Sequence, residues 1–317
     1  MGKIISFHKL SEAQIKLINR AAPDLELIIA EASPDSWQAH LADTEVLIGW
    51  NDLAAEQLLQ QGTKLRWIQN WGAGVNHLPC ELLAERGIML TNASGVHAFP
   101  IAETIFAMML SFTRKLDTSI RLQIQREWKP ETPDEIHGKT ICIIGVGAIG
   151  KETAKIAKAF GMTVCGVTYS GKPLPDVDKI VDRSCLEEAL SVGDFIVNTL
   201  PLTDETRHMI GEKEFAAMKP TAMYINIGRG QTTDEKALIA ALQSGKLAGA
   251  GLDVFELEPL PVDSPLWGMD NVIVSPHHSG STVRYEERAV DIFIRNLQDF
   301  IANREPTVNR VDLAKQY

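Results

Sequence analysis

The sequence predicts an α/β fold with two doubly wound parallel-sheet domains and a cleft between them. Short apolar, β-branched runs alternate with amphipathic segments of helical length along most of the chain. Two parallel strands need such a crossover, because the chain must travel back along the sheet before the next strand begins. The length of 317 residues suits two domains, since one domain averages roughly 150 residues.

The first hundred residues contain one alternating series. Predicted strands cover residues 4–7, 25–30, 46–49 and 65–69, and predicted helices begin near Ser11, Ser33, Leu53 and Pro79. Residues 100–116 are apolar on most faces and start with a proline that suits a first helical turn, which predicts a buried helix at a domain junction. Residues 117–138 are polar and contain Trp128. We interpret this segment as an arm that a partner subunit covers.

A second series begins at Thr140. Predicted strands cover residues 141–144, 164–167, 195–198, 223–227, 247–252 and 272–275, and six parallel strands fit a doubly wound sheet. Residues 282–302 repeat apolar side chains at helical spacing, so we expect a last helix that returns to the first domain. The predicted division is a substrate-binding domain of residues 1–98 and 288–317. A dinucleotide-binding domain covers residues 99–287 and includes the arm.

Composition excludes several classes of function. The chain has 41 acidic and 31 basic side chains, a net charge of −10, and no run of Lys or Arg, so it lacks the basic surface that nucleic acids and anionic membranes require. The N-terminus has no apolar signal-peptide core, and no apolar run reaches the ~18 residues of a membrane span. We therefore expect a cytoplasmic protein. The cysteines are scattered, which favours reduced thiols: Cys80, Cys142, Cys165 and Cys185.

The predicted strand at 141–144 leads into a glycine-rich turn and then a helix. Gly145, Gly147 and Gly150 form the pattern G-x-G-x-x-G. The first glycine allows a tight turn, the second lets the backbone approach a pyrophosphate, and the third lets helix and strand pack closely. This Rossmann-like context predicts dinucleotide binding, and a purely structural glycine turn is the alternative.

The next strand ends without the acidic residue that binds the adenosine ribose of NAD. The chain has Thr168, Tyr169, Ser170, Gly171 and Lys172 at this position. These hydroxyls and this cation suit a 2′-phosphate that an aspartate would repel, so we favour NADP over NAD. The alternative is a solvated loop in an enzyme that takes either cofactor.

Three ordered motifs carry a family resemblance: NIGRG at 226–230, LDVFELEP at 252–259 and SPHHSG at 275–280. Through them the chain resembles the D-isomer-specific 2-hydroxyacid dehydrogenase family, and within it the glyoxylate/hydroxypyruvate reductase branch. The resemblance implies an NAD(P)-dependent oxidoreductase that acts on a 2-hydroxy acid. It also implies a homodimer formed through the arm and the buried helix.

The resemblance implies three catalytic residues. Arg229 grips the substrate's carboxylate and carbonyl oxygens with two charge-assisted hydrogen bonds, which a lysine does not reproduce. His277 protonates the carbonyl oxygen as hydride arrives, a role that suits imidazole. Glu258 orients the imidazole and favours its protonated form. The neighbouring His278 competes for the acid role, and only the register after Pro276 argues against it.

Other expected contacts follow from the same resemblance. The backbone at Ala73 and Gly74 matches the loop that meets the substrate carboxylate, and Asp253 matches a residue that contacts the nicotinamide carboxamide. The remaining matches are cofactor contacts: Ala148, Ile149, Leu200, Pro201, Ile227, Ser279 and Gly280. No metal site is predicted.

Departures from the family pattern narrow the substrate. A phosphorylated substrate needs cations near the first-domain loops, yet residues 49–74 contain only Lys64 and Arg66. The length leaves no room for an appended regulatory domain, and the lactate-type branch has an aromatic pair where this chain has Ser279 and Gly280. We expect a small unphosphorylated 2-keto acid, with glyoxylate or hydroxypyruvate first.

Two alternatives stay open. A larger branched or aromatic 2-keto acid fits four aromatic residues that are candidates for an apolar wall: Trp50, Trp71, Phe99 and Trp267. A non-enzymatic NAD(P)-binding sensor or corepressor is also compatible with the fold, because fold alone does not determine function.

Overall fold

The computed structural model describes residues 2–31, 33–60, 63–75, 77–169 and 171–314. The chain forms two compact units, Met1–Val96 with Thr282–Tyr317 and His97–Ser281. Each unit contains a parallel sheet with crossover helices. The predicted α/β class with two doubly wound sheets is therefore confirmed.

Within the described residues, the first unit has a five-stranded parallel sheet in the order 2-1-3-4-5. Its strands are β1 (Gly2–Ser6), β2 (Leu25–Ile29), β3 (Thr44–Ile48), β4 (Trp67–Gln69) and β5 (Met89–Thr91). Its first helices are α1 (Glu12–Ala21), α2 (Asp52–Leu58) and α3 (Cys80–Glu85). Helix α1 begins where predicted because Ser11 and Gln14 form a capping box, which satisfies two backbone N–H groups.

The second unit contains, in the described part of the chain, a seven-stranded parallel sheet in the order 12-11-10-9-6-7-8. The strands are β6 (Thr140–Ile144), β7 (Thr163–Thr168), β8 (Lys179–Asp182), β9 (Phe195–Asn198), β10 (Met223–Asn226), β11 (Gly249–Leu252) and β12 (Val272–Val274). The helices are α4 (Ala98–Thr113), α5 (Leu116–Gln125), α6 (Ala148–Ala159), α7 (Leu186–Val192), α8 (Glu212–Ala217) and α9 (Glu235–Gln243). Helix α4 is mostly buried, as its apolar sequence predicts.

The last helix, α10 (Tyr285–Ile301), belongs to the first unit. It packs Phe293 and Phe300 against Trp67, with ring centroids 5.1 and 5.6 Å apart. The chain then pairs with the edge strand β5, where the Val311 N–H donates to the Leu90 carbonyl at 2.9 Å. This pairing covers an edge that would otherwise expose unpaired backbone groups.

Some elements differ from the sequence prediction. The helix expected near Ser33 consists of two short 3-10 segments, Pro34–Ser36 and Gln38–Asp43, because the Ser36 hydroxyl bonds to nearby backbone in competition with a helix. The strands β5 and β8 are not predicted. Strand β5 has three residues, and β8 lies at the sheet edge with charged residues at both ends, so neither produces a clear apolar run.

The predicted arm is partly helical. Helix α5 covers its first half, and residues 126–135 are exposed and have no regular structure. Among the described residues, every helix is too short or too polar to cross a bilayer. All four cysteines are free thiols.

Candidate active site

The glycine-rich turn joins β6 to α6. Gly145 has φ +91°, a left-handed conformation that favours glycine, and a Cβ there would lie 3.1 Å from the Thr199 and Leu200 side chains. A Cβ on Gly150 would lie 2.6 Å from the Gly145 carbonyl oxygen. Gly147 differs, because a Cβ there would meet no described atom within 4 Å.

Helix α6 begins directly after this open position. Within the described residues, no side chain caps its N-terminus at Gly147, so the first backbone N–H groups, at Ala148 and Ile149, are left for a ligand. An uncapped helix start facing open space fits a pyrophosphate. The turn therefore has the shape that a dinucleotide requires.

Two further turns lie at the same edge of the sheet. A Cβ on Gly228 would lie 2.5 Å from the Leu200 carbonyl oxygen, so the Leu200–Pro201 turn packs between Gly145 and the turn after β10. Ile227 is buried within that second turn. The predicted contacts on β6, β9 and β10 thus come together at neighbouring strand ends.

The predicted 2′-phosphate loop follows β7. The Thr168 hydroxyl accepts a hydrogen bond from the Gly171 N–H at 3.1 Å, and Tyr169 and Lys172 are exposed. Ser170 lies outside the described residues. A cation and a hydroxyl are therefore present at this strand end.

Strand β8, which the sequence analysis did not predict, adds two charged residues beside this loop. Asp182 pairs in register with Thr168, and its carboxylate accepts hydrogen bonds from the Ser184 N–H and hydroxyl, which lower the pKa of Asp182. Arg183 follows and donates to the Glu205 carboxylate at 2.6 Å. A longer apolar run would have predicted this strand, but β8 has only Ile180 and Val181 between two charged residues.

Arg229 follows β10 and is exposed. Its Nη1 donates to the Gly228 carbonyl at 2.7 Å. Its own carbonyl accepts from the Thr232 hydroxyl at 2.7 Å and from Asn226 Nδ2 at 3.2 Å. The Arg229 backbone is thus fixed by Thr232 and Asn226, while the side chain remains exposed.

A buried polar network continues beneath this turn. Asn198 Nδ2 donates to the Tyr224 hydroxyl at 2.9 Å and to the Thr232 hydroxyl at 2.8 Å, and Thr233 lies 2.6 Å from the Tyr224 oxygen. Burial raises the pKa of Tyr224 to about 12, which keeps the phenol neutral. A fully bonded network of this kind holds a turn rigidly.

His277 and Glu258 form a hydrogen-bonded pair, with His277 Nδ1 2.7 Å from Glu258 Oε2. The other Glu258 oxygen accepts the Phe255 N–H at 3.0 Å. His277 has φ +48°, a left-handed conformation that histidine adopts more readily than most side chains. Because Nδ1 faces the carboxylate, Nε2 is the ring nitrogen left for another partner.

The turn that carries His277 is tied to Asp253. This fully buried carboxylate accepts hydrogen bonds from the Ser275 hydroxyl at 2.6 Å and from the backbone N–H groups of His278 and Ser279 at 3.1 and 3.2 Å. Asp253 therefore holds the turn that carries His277. The nicotinamide contact expected for Asp253 stays a prediction.

The same contacts distinguish His277 from its neighbour His278. Of the two neighbouring rings, His277 has the carboxylate partner, whereas His278 contributes its backbone N–H to the turn. Gly280 closes the turn, and its carbonyl lies 2.8 Å from His97 Nδ1. Ser279 is buried. His277 is therefore the one of these two neighbouring histidines whose ring contacts a carboxylate.

An apolar pocket of about 420 Å³ adjoins the ion pair. Its lining is mostly apolar and consists of Phe255, Glu258, Pro259, Leu260, Trp267, Val274, Pro276 and His277. Of the four aromatic residues expected to form an apolar wall, Trp267 lines this pocket. Phe99 lies elsewhere in the second unit, and Trp50 and Trp71 lie in the first.

The first unit contains the predicted carboxylate-binding loop. The Asn70 side chain donates to the Gly72 and Gly74 carbonyls, both at 2.9 Å, and Asn92 donates to the Ala73 carbonyl at 2.8 Å. Ala73 and Gly74 are exposed. With its carbonyl oxygens engaged by these amides, the loop suits an anion at its N–H groups.

Comparisons with known proteins agree with this site. Residues 106–279 match the family model described as D-isomer specific 2-hydroxyacid dehydrogenase, NAD binding domain. The chain is 37% identical over 253 residues to a glyoxylate reductase of Thermococcus gammatolerans, covering 77% of this chain and 75% of the relative. It is 36% identical over 284 residues to glyoxylate/hydroxypyruvate reductase B of Escherichia fergusonii, covering 85% and 87%.

A solved structure shares the fold over the full length. The NADPH-dependent glyoxylate/hydroxypyruvate reductase of Sinorhizobium meliloti, in complex with NADP and sulfate, superposes with a TM-score of 0.77 at 27% identity and covers 100% of both chains.

Proposed function

Because the chain belongs to the D-isomer-specific 2-hydroxyacid dehydrogenase family, we propose that it reduces a small unphosphorylated 2-keto acid to the D-2-hydroxy acid. Glyoxylate and hydroxypyruvate are the first candidates. The main support for this reaction is the His277–Glu258 pair, in which His277 Nδ1 lies 2.7 Å from Glu258 Oε2. Arg229, Glu258 and His277 follow β10, β11 and β12, which are neighbours in one sheet.

Each residue has a defined task in this reaction. The Arg229 guanidinium binds the substrate carboxylate through paired, charge-assisted hydrogen bonds. The His277 imidazolium gives its Nε2 proton to the carbonyl oxygen. Glu258 accepts the Nδ1–H hydrogen bond, and its negative charge balances the charge of the imidazolium. When bound, reduced nicotinamide supplies the hydride for the carbonyl carbon. The second unit is the dinucleotide-binding domain and the first unit is the substrate-binding domain.

A second candidate substrate is a larger branched or aromatic 2-keto acid. The apolar pocket of about 420 Å³ beside His277 favours such a substrate, because moving an apolar side chain from water into the pocket lowers the free energy of binding. The relatives, a glyoxylate reductase and a glyoxylate/hydroxypyruvate reductase, favour the smaller acids. The two candidates therefore differ in what occupies the pocket lined by Trp267.

We propose NADPH as the preferred cofactor. Lys172 and the Thr168 hydroxyl provide the charge and hydrogen bonding that suit a 2′-phosphate, and the relative from Sinorhizobium meliloti is bound to NADP. Asp182 lies beside Thr168, but its carboxylate is engaged with Ser184. Lys172→Ala is expected to raise the KM for NADPH and to leave the KM for NADH unchanged. A higher kcat/KM with NADH in the unmodified protein would refute the preference.

A substrate panel tests the function. Glyoxylate, hydroxypyruvate, pyruvate, phenylpyruvate and 2-ketoisocaproate are each supplied with NADPH and with NADH, and the loss of nicotinamide absorbance is followed. The highest kcat/KM is expected for glyoxylate or hydroxypyruvate with NADPH. NADPH binding without turnover of any acid would favour the sensor or corepressor and reject the enzyme activity.

Replacing Glu258 by glutamine tests the pair. The imidazole loses the carboxylate that orients it, so kcat/KM for 2-keto acid reduction is expected to fall. The measurement is kcat/KM for the 2-keto acid, with Glu188→Gln as a matched control because that carboxylate pairs with Lys179 on the surface. An unchanged kcat/KM for the Glu258 variant would reject the pairing.

We also propose a homodimer formed through α5 and the following arm. Four large apolar side chains recur every four residues and are exposed: Leu116 (50%), Ile120 (59%), Ile124 (78%) and Trp128 (96%). A stripe of this kind marks an interaction surface. Light scattering is expected to give twice the 34.9 kDa of one chain, and the variant with Ile120→Asp and Ile124→Asp is expected to give one chain. A monomeric unmodified protein at micromolar concentration would contradict the proposal.

A further inference from the structure

Glu256 lies two residues before Glu258 and contacts three separate segments of the second unit. His208 Nε2 lies 2.9 Å from Glu256 Oε1. The Glu235 N–H donates to the same oxygen at 3.2 Å, and the Glu256 N–H donates to Glu235 Oε2 at 3.1 Å. The Glu256 carbonyl accepts from Gln231 Nε2 at 3.0 Å. Its side chain and backbone are therefore both engaged.

The same place joins two backbone segments in direct contact. A Cβ on Gly230 would lie 1.8 Å from the Phe255 carbonyl oxygen, so only glycine allows this approach. The His208 N–H donates to the Gln231 carbonyl at 2.8 Å. The segment after Arg229 is thus fastened to the segment before Glu258 by packing and by hydrogen bonds.

These contacts reach the reacting groups through short chains of bonds. Gly230 follows Arg229 directly. The Phe255 N–H holds one Glu258 oxygen at 3.0 Å, and the other Glu258 oxygen holds His277 at 2.7 Å. A shift of residues 255–256 would therefore move the carboxylate that orients the imidazole and change its distance from Arg229.

We propose that Glu256, held by His208 and Glu235, is a positioning residue that sets the spacing between Arg229 and the Glu258–His277 pair. This inference rests on the proposed function for its kinetic consequence. Its structural consequence, the position of Glu258, does not depend on which reaction the protein catalyses.

The junction combines two carboxylates, Glu235 and Glu256, with the imidazole of His208. Burial, followed by the neighbouring Glu256 charge, raises the pKa of Glu235, so the two carboxylates are unfavourable neighbours by themselves. Each carboxylate accepts the other residue's backbone N–H, and His208 provides a partner of opposite charge when protonated. His208 has φ +50°, a conformation that histidine adopts more readily than most side chains.

The test compares Glu256→Ala with Glu256→Gln. Alanine removes the side-chain acceptor, whereas glutamine keeps an oxygen for the Glu235 N–H and nearly the same shape. We expect Glu256→Ala to lower kcat for 2-keto acid reduction by about 10- to 100-fold, the cost of a misplaced reacting group, with the KM for NADPH unchanged. Glu256→Gln should restore most of the rate. Glu188→Ala is the matched control for losing an exposed carboxylate.

Crystal structures of the same variants supply a readout that does not depend on activity. The Glu258–His277 contact is expected to be lost in Glu256→Ala and kept in Glu256→Gln. Should Glu256→Ala fail to fold, His208→Asn tests the same junction, because asparagine tolerates positive φ, and a smaller fall in kcat is expected. An intact contact with unchanged kcat in the alanine variant would overturn the inference. Absence of turnover in the unmodified protein would instead reject the proposed function, while the structures still decide the positioning role.

Discussion

Replacing His277 by alanine is expected to lower kcat for 2-keto acid reduction by ~10² to 10⁴ and to leave NADPH binding intact, because a positioned general acid contributes a factor of that size. The imidazole is held by Glu258, with 2.7 Å between Nδ1 and Oε2. The glycine turn that suits the cofactor is formed by other residues. Loss of the ring therefore removes the proton donor and little else.

The experiment measures single-turnover rates and the fluorescence titration of NADPH on the same preparation. His278→Ala is the matched control, since that ring has no carboxylate partner among the described side chains and only its backbone N–H contacts Asp253. A His277 variant with near-normal turnover would show that another group supplies the proton. A loss of equal size in His278→Ala would show that the register is misassigned.

Replacing Arg229 by lysine is expected to reduce kcat/KM for the 2-keto acid by about 10- to 100-fold although the positive charge remains. A hydrogen bond to a charged group contributes about 1.5–3 kcal/mol, and about 1.4 kcal/mol corresponds to a factor of ten. Lysine replaces a planar pair of donors by a single ammonium group, so the paired contact with the carboxylate is lost. Arg207→Lys, an exposed arginine of the same unit, is the control.

The kinetic constants distinguish the role of Arg229 from a structural one. The KM for NADPH and the melting temperature should stay close to those of the unmodified protein, because the hydrogen bonds that hold the turn to Thr232 and Asn226 go to the Arg229 carbonyl. The guanidinium adds one bond, to the Gly228 carbonyl. If Arg229→Lys leaves kcat/KM within about threefold of the unmodified value, less than one hydrogen bond's contribution, the clamp is elsewhere.

Much of the fold and of the candidate site can be predicted from short stretches of the sequence. The strand–glycine–helix segment around Gly145 and the order of the three motifs are properties of neighbouring residues, and they predict the strand ends of the second sheet that carry Arg229, Glu258 and His277. The alternation of apolar runs with amphipathic segments predicts both sheets. Strand β8 is not predicted because its apolar run has only two residues, between Lys179 and Asp182. Asp182 and Arg183 therefore enter the description of the cofactor loop only from the structure.

The parts of the site that the sequence does not predict depend on contacts between distant segments of the chain. The pairing of His208 with Glu256, and of Asn198 with Tyr224, joins residues that are 48 and 26 positions apart, and no spacing rule connects them. Asp253 illustrates the same limit. Its motif predicts a cofactor contact, and only the structure adds its burial and its hydrogen bond to Ser275 in the turn that leads to His277.

The central claim is that Arg229, Glu258 and His277 act on one bound 2-keto acid. A crystal structure of the protein with NADPH and oxamate, an unreactive analogue of such an acid, tests it most directly. The account predicts the oxamate carboxylate on the Arg229 guanidinium and its amide carbonyl oxygen within hydrogen-bond distance of His277 Nε2, with Glu258 still on Nδ1. Oxamate bound away from these side chains, or either Arg229 or His277 directed away from it, would contradict the account.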